Sequence, residues 1–102
     1  MRRRTRRVPD AAARERAWRT HIDKEVRAYA DANDVPLAVI RCGRRLRGAN
    51  WTRRALCALH LHEVCRFSYA DIARALGTPS RFTVRDWVVA VRTCAETLGK
   101  AA

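Results

Sequence analysis

Apolar side chains recur at helical spacing in several stretches of this chain, and nowhere alternate as in a strand. Trp18, Ile22, Val26 and Tyr29 form one stripe and predict a helix over residues 10–32, with Asp10 as its N-cap after Pro9. Asn33, Asp34 and Pro36 break it. "PLAVI" (36–40) predicts a short helical turn that buries Leu37 and Ile40. A third helix is expected over about 51–65, capped by Asn50, with Leu56, Leu59 and Val64 among its apolar positions. "SYAD" (68–71) has the form of a relaxed capping box, Ser68 as N-cap and Asp71 three residues on. The short helix it opens turns Ile72, Ala73 and Leu76 inward and stops at Gly77. Thr-Pro-Ser then makes a turn, and Ser80 caps a last helix over about 81–98, ending before Gly99. Its core stripe is Val84, Trp87, Val88, Val91, Ala95 and Leu98. The pattern therefore predicts an all-α domain, a compact set of about five helices closing with a helix-turn-helix.

Composition adds a partner to this picture. The 102 residues suffice for one small domain, and they carry 22 Lys and Arg against 10 Asp and Glu, a formal net charge of +12. Only Lys24 and Lys100 are lysines; the other cations are arginines, which suit bidentate contacts to phosphate and guanine. Such a balance points to a polyanion, with a generic arginine-rich surface as the alternative. "MRRRTRR" (1–7) has five arginines and nothing to bury. Residues 1–9 are thus expected to be a basic flexible, disordered arm before a domain spanning 10–99. The arm either meets phosphates or a minor groove, or is a solvated tail. No apolar run approaches the ~20 residues of a membrane span, and no apolar segment follows the charged start as in a signal peptide. A cytoplasmic, nucleoid-associated protein with no membrane partner is expected.

Candidate chemistry narrows it further. Cys42, Cys57, Cys65 and Cys94 are expected as reduced thiols. "CALHLHEVC" (57–65) invites a zinc reading, but at ~100° per residue His62 points away from Cys57 and His60, so one helix does not wrap an ion. Core cysteines with surface or capping histidines are the expectation. No phosphate-binding loop, nucleophile elbow, zinc-protease motif or close carboxylate pair is present. The chain is accordingly expected not to be an enzyme and to use no metal or cofactor.

The arginines instead gather in two places. "RCGRRLRGAN" (41–50) is a basic loop with Arg41, Arg44, Arg45 and Arg47. Arg53 and Arg54 follow in the expected first turn of the third helix, where positive charge opposes the helix dipole unless a phosphate lies there. The last helix opens with Ser80, Arg81, Phe82, Thr83 and Arg85. In a DNA-binding helix-turn-helix, that helix start enters the major groove. Arg pairs with guanine O6 and N7, Phe packs on a thymine methyl, and Thr bonds base or phosphate.

Residues 22–92 resemble the C-terminal DNA-binding domain of the bacterial replication initiator DnaA. "IDKEVRAYADANDVPLAVI" is similar to the family's opening helix and its short Val-x-x-Leu helix. "GRRLRGANWTRRALCALHLHE" resembles its basic loop and following helix, and "FSYADIARALG" its Leu-Ser-x-x-Glu-Ile-Gly-x-x-Phe-Gly segment. The resemblance implies that Arg47 enters a minor groove with Arg44 and Arg45 nearby. It implies that Arg53 and Arg54 meet phosphates and bases, and that the start of the last helix reads the major groove. The family signature there is Gly-Arg-Asp-His-[Ser/Thr]-Thr-Val. In "TPSRFTV" (78–84) only Thr83 and Val84 match, while Ser80, Arg81 and Phe82 stand at base-reading positions, so a different target sequence is implied. The family's initiators carry an ATPase module before this domain. None lies in these residues, so a stand-alone DNA-binding domain is expected.

The expected function is sequence-specific binding of double-stranded DNA, with transcriptional regulation as the expected role. The alternatives are a replication-linked modulator competing for origin sites, and an interaction protein binding RNA polymerase or the initiator. RNA binding is a further reading, disfavoured because Trp18, Tyr29 and Trp87 lie on apolar stripes. Oligomeric state is not legible.

Overall fold

Each predicted stripe becomes a helix. The computed structural model describes residues 11–101, with side chains through residue 94. The helices are α1 (Ala11–Ala32), α2 (Leu37–Ile40), α3 (Gly48–Glu63), α4 (Tyr69–Leu76) and α5 (Arg81–Ala101). The protein is all-α, as its patterning predicts. No described helix is long and apolar enough to cross a membrane. The expected Asp10 cap, the arm and the side chains of Ala95 and Leu98 lie outside the described residues.

The core forms where the helical stripes converge. Ile22 and Val26 come from α1, and Ile40 from α2. Cys57 and Leu61 come from α3, Ile72 and Leu76 from α4, and Val84, Val88 and Val91 from α5. Phe67, between α3 and α4, is fully buried among them. Leu37, Tyr29 and Leu59 are half-buried against this core. Packing of α3 on α5 forms its centre, with α4 on α5 and α1 across α3 and α4.

Local chemistry sets the ends. The Ser68 hydroxyl accepts from the Asp71 N–H at 3.1 Å, a cap worth ~1 kcal/mol. The Asp71 carboxylate does not complete the box; it accepts from Trp18 Nε1 at 2.7 Å and from Arg74 at 3.3 Å. Gly77 ends α4 in the left-handed region (φ 74°), and the Thr78 N–H returns to the Ala73 carbonyl at 3.0 Å. Asp34 (φ 53°) and Arg66 (φ 67°) play the same part after α1 and α3 without being glycine. The chain reversals they allow are closed by Val35 N–H to Ala30 O at 2.9 Å and Phe67 N–H to Leu61 O at 3.0 Å.

Three expectations fail: the start of α3 with its Asn50 cap, the core place of Trp18, and the end of α5. Helix α3 begins three residues earlier than expected, at Gly48, after Arg47 in extended conformation. Asn50 is therefore inside the helix, where its side chain accepts from Arg53 at 3.0 Å rather than capping. Leu56 and Val64 are exposed, the latter at 67%, because α5 and α1 pack on the faces that carry Cys57, Ala58 and Leu61. Trp18 is 43% exposed rather than a core residue. It lies over the rim of the core, edge-on to Phe67 at 4.9 Å, with its N–H held by Asp71. Finally, α5 continues through Gly99 to Ala101. A glycine inside a helix costs ~1 kcal/mol but ends it only where the chain reverses.

Candidate nucleic-acid interface

The basic loop between α2 and α3 and the start of α5 are some 35 residues apart in sequence. The fold sets them side by side. A groove of about 460 Å³ runs between them, lined by Arg44, Arg45 and Arg47 from the loop and by Trp51 and Arg54 from α3. Thr78, Pro79, Thr83 and Trp87 line it from the turn and α5. No carboxylate lines it, and none of Arg44, Arg45 and Arg47 forms an ion pair among the described residues. All three are exposed.

Four acidic side chains form ion pairs away from this groove. Glu15 pairs with Arg19 at 2.8 Å and Arg74 at 3.4 Å, Asp71 with Arg74, and Asp23 with Arg41 at 2.9 Å. These pairs hold α1 to α4 and to the root of the loop. They also surround a second groove of about 340 Å³ beside Trp18 and Ile22. Glu63 pairs with Arg92 between α3 and α5. The groove between the loop and α5 thus carries exposed positive charge with no carboxylate in its lining, an arrangement that attracts a polyanion.

Arg54 departs from its expected place. It is 4% exposed and turned inward. Its Nη1 donates to the Cys42 carbonyl at 2.8 Å and the Arg44 carbonyl at 3.0 Å, and its guanidinium lies 4.1 Å from the centre of the Trp87 ring. Burial lowers its pKa, with Cys42 acting in the opposite direction. The early start of α3 explains the change: Arg53 and Arg54 lie in the second turn, past the dipole's reach, and Arg54 faces α5. Arg53 remains exposed.

At the start of α5, the half-buried Ser80 is a cap, its hydroxyl accepting from the Phe82 N–H at 3.0 Å. Phe82 is 58% exposed, a costly position for an aromatic ring with nothing over it but the Arg81 guanidinium, 5.0 Å from its centre. Arg85 is exposed one turn on, and Thr83 is half-buried in the groove. The structure therefore joins Arg44, Arg45, Arg47, Arg54 and Thr83 on one groove. Arg81 and Phe82 stand at the tip of α5, and Arg53 and Arg85 lie outside the groove lining. Sequence reasoning assigned Trp87 to the core alone and did not place Trp51. The place of each in the groove has no local signal, since it depends on a loop distant in sequence.

Cys57, Cys65 and the two histidines of α3 serve packing. Burial, reinforced by Cys65, pushes the Cys57 thiol up to about 12. Burial, then the charge of Glu25 and a hydrogen bond to it (3.7 Å), raises Cys65. His60 lies against the Tyr29 ring, and His62 Nδ1–H donates to the Phe67 carbonyl at 3.0 Å. No group of three or more metal-ligating side chains converges among the described residues. Compared with known protein families, characterised proteins and solved structures, the chain matches none.

Proposed function

We propose that this chain binds double-stranded DNA in a sequence-specific manner. The start of α5 enters a major groove and the 41–47 loop enters the adjacent minor groove. The observation that carries this reading is the carboxylate-free groove that unites three exposed loop arginines with the N-terminal turn of α5. Loop and helix contacts to phosphate supply most of the affinity, and base edges supply the specificity. Arg81 takes guanine, and Phe82 takes a thymine methyl. Arg81 and Phe82 are consecutive at the exposed start of α5, which favours contacts to neighbouring base pairs. The likeness of residues 22–92 to the DnaA C-terminal domain supports the same docking, with a target altered by Ser80, Arg81 and Phe82. The role we assign is transcriptional regulation at such sites; competition for replication-origin sites is the role to be separated from it.

The test is selection from a random double-stranded pool at ~150 mM salt with excess non-specific competitor. A single enriched motif containing a thymine beside a guanine is the expected result. Its overlap with the initiator's box would assign the protein to replication control. A pool that enriches no motif refutes sequence-specific binding.

A further inference from the structure

Arg54 is an expensive residue for a small core. Its charge is buried with no carboxylate beside it, and its Nε has no hydrogen-bond partner. An apolar side chain of similar volume would fill the space without stripping water from a cation. What an apolar side chain would not do is hold two loop carbonyls and the face of an α5 tryptophan at once. The guanidinium does both, through one donor atom and its flat face.

A second contact joins the same two parts. The loop backbone lies directly on the turn before α5. A Cβ on Gly43 would come within 3.3 Å of the Gly77 carbonyl oxygen, and one on Gly77 within 3.5 Å of the Arg41 carbonyl oxygen. Gly77 must be left-handed to end α4. Gly43 is not in the left-handed region, so its lack of a side chain serves the close approach. The loop is therefore clamped twice, by Arg54 against Trp87 and by backbone against backbone at Gly43 and Gly77.

We propose that Arg54 is a positioning residue that locks the basic loop to α5 as one rigid two-part reader, setting the spacing between the two DNA tracts they contact. This rests on the DNA-binding reading above. A reader whose parts are rigidly joined tolerates only one spacing, because one inserted base pair moves a tract by ~3.4 Å along the axis and rotates it out of line. A loop freed from α5 would follow the shifted tract, at the cost of a weaker best fit.

The experiment has two arms. In the first, hydrogen exchange of loop residues 41–47 is measured in the free full-length protein. Arg54→Lys keeps the charge but loses the planar fork and stack; Gly43→Ala perturbs the second contact. Both variants should exchange faster at the loop, with α1 unchanged. In the second, the duplex enriched by the wild-type protein is rebuilt with single base-pair insertions between its two contacted tracts. Wild type should lose at least ~10-fold on the shifted duplex. Arg54→Lys should bind the parent duplex ~10-fold more weakly but lose only ~2-fold more on the shifted one, with its salt dependence unchanged. If Arg54→Lys fails to fold by circular dichroism, Gly43→Ala carries both arms. Unchanged loop exchange, a full spacing penalty in the variants, or a flatter salt dependence would each overturn the proposal. Failure of the wild type to enrich any duplex would refute the DNA reading instead, and loop exchange would still decide whether Arg54 joins loop and helix.

Discussion

Replacing Arg44, Arg45 and Arg47 together with alanine isolates the contribution of the loop. All three are exposed and none forms an ion pair among the described residues, so their loss breaks no such link. The loop should keep its shape, because Arg54 grips the backbone carbonyls of Cys42 and Arg44 rather than side chains. Arg47, though it precedes α3, makes no side-chain capping bond. Each phosphate neutralised contributes ~0.9 to the slope of log affinity against log salt, so three arginines contribute about 2.7. Between ~50 and ~200 mM salt, that difference amounts to roughly 40-fold in affinity. The assay is fluorescence anisotropy with a labelled 20-base-pair duplex across that range, together with a thermal melt of both proteins. The expected outcome is an unchanged melting temperature and a slope shallower by about 2.7. An unchanged slope in a folded variant would mean that the loop does not meet phosphate, and would remove the loop from the interface.

Four further outcomes follow from particular residues. Deoxyuridine in place of thymine beside the guanine of the selected site removes one methyl, worth ~0.8 kcal/mol or about fourfold in affinity; Phe82→Ala should abolish this discrimination. Trp87→Ala removes a buried ring and the platform under Arg54, and should cost ~3–5 kcal/mol in denaturant unfolding; near-native stability would contradict its packing. Arg66→Gly relieves a left-handed backbone at an exposed position and should stabilise by up to ~1 kcal/mol in denaturant unfolding; a lower midpoint than wild type would contradict strain at this position. Cys57 is held neutral in the fold, its pKa raised from 9.0 to about 12. The folded state thus keeps a proton that the unfolded chain releases, so this stability is complete below pH 9 and is lost as pH rises toward 12. Denaturant midpoints at pH 8 and above 10 should fall in wild type and fall less in Cys57→Ala.

The elements that were legible carry their instructions locally. Ile22 and Val26, or Val84, Val88 and Val91, repeat at the helical period, and that period alone selects a helix and its inward face. Ser68 caps with an N–H three residues away, and Gly77 takes a conformation that its own lack of a Cβ allows. For Trp18 and Arg54, the deciding contact was distant in sequence. Trp18 is drawn to the rim by Asp71, 53 residues on. Arg54 is turned inward by Trp87 and by two loop carbonyls. Leu56 and Val64 stay exposed because no helix arrives over them.

The sequence by itself thus determined an all-helical chain, the short α4 with its turn into α5, and a formal net charge of +12 carried almost wholly by arginine. Helical period, capping chemistry and net charge are properties of neighbours or of the whole chain, and need no knowledge of packing. Only the tertiary structure decided which arginines remain available. Packing α3 on α5 buries Arg54 and leaves Arg44, Arg45 and Arg47 beside Thr83, while Glu15, Asp23 and Asp71 are drawn into pairs on the α1–α4 side. A charge acts on a partner through distance and solvent exposure, and those two quantities exist only once the helices have met.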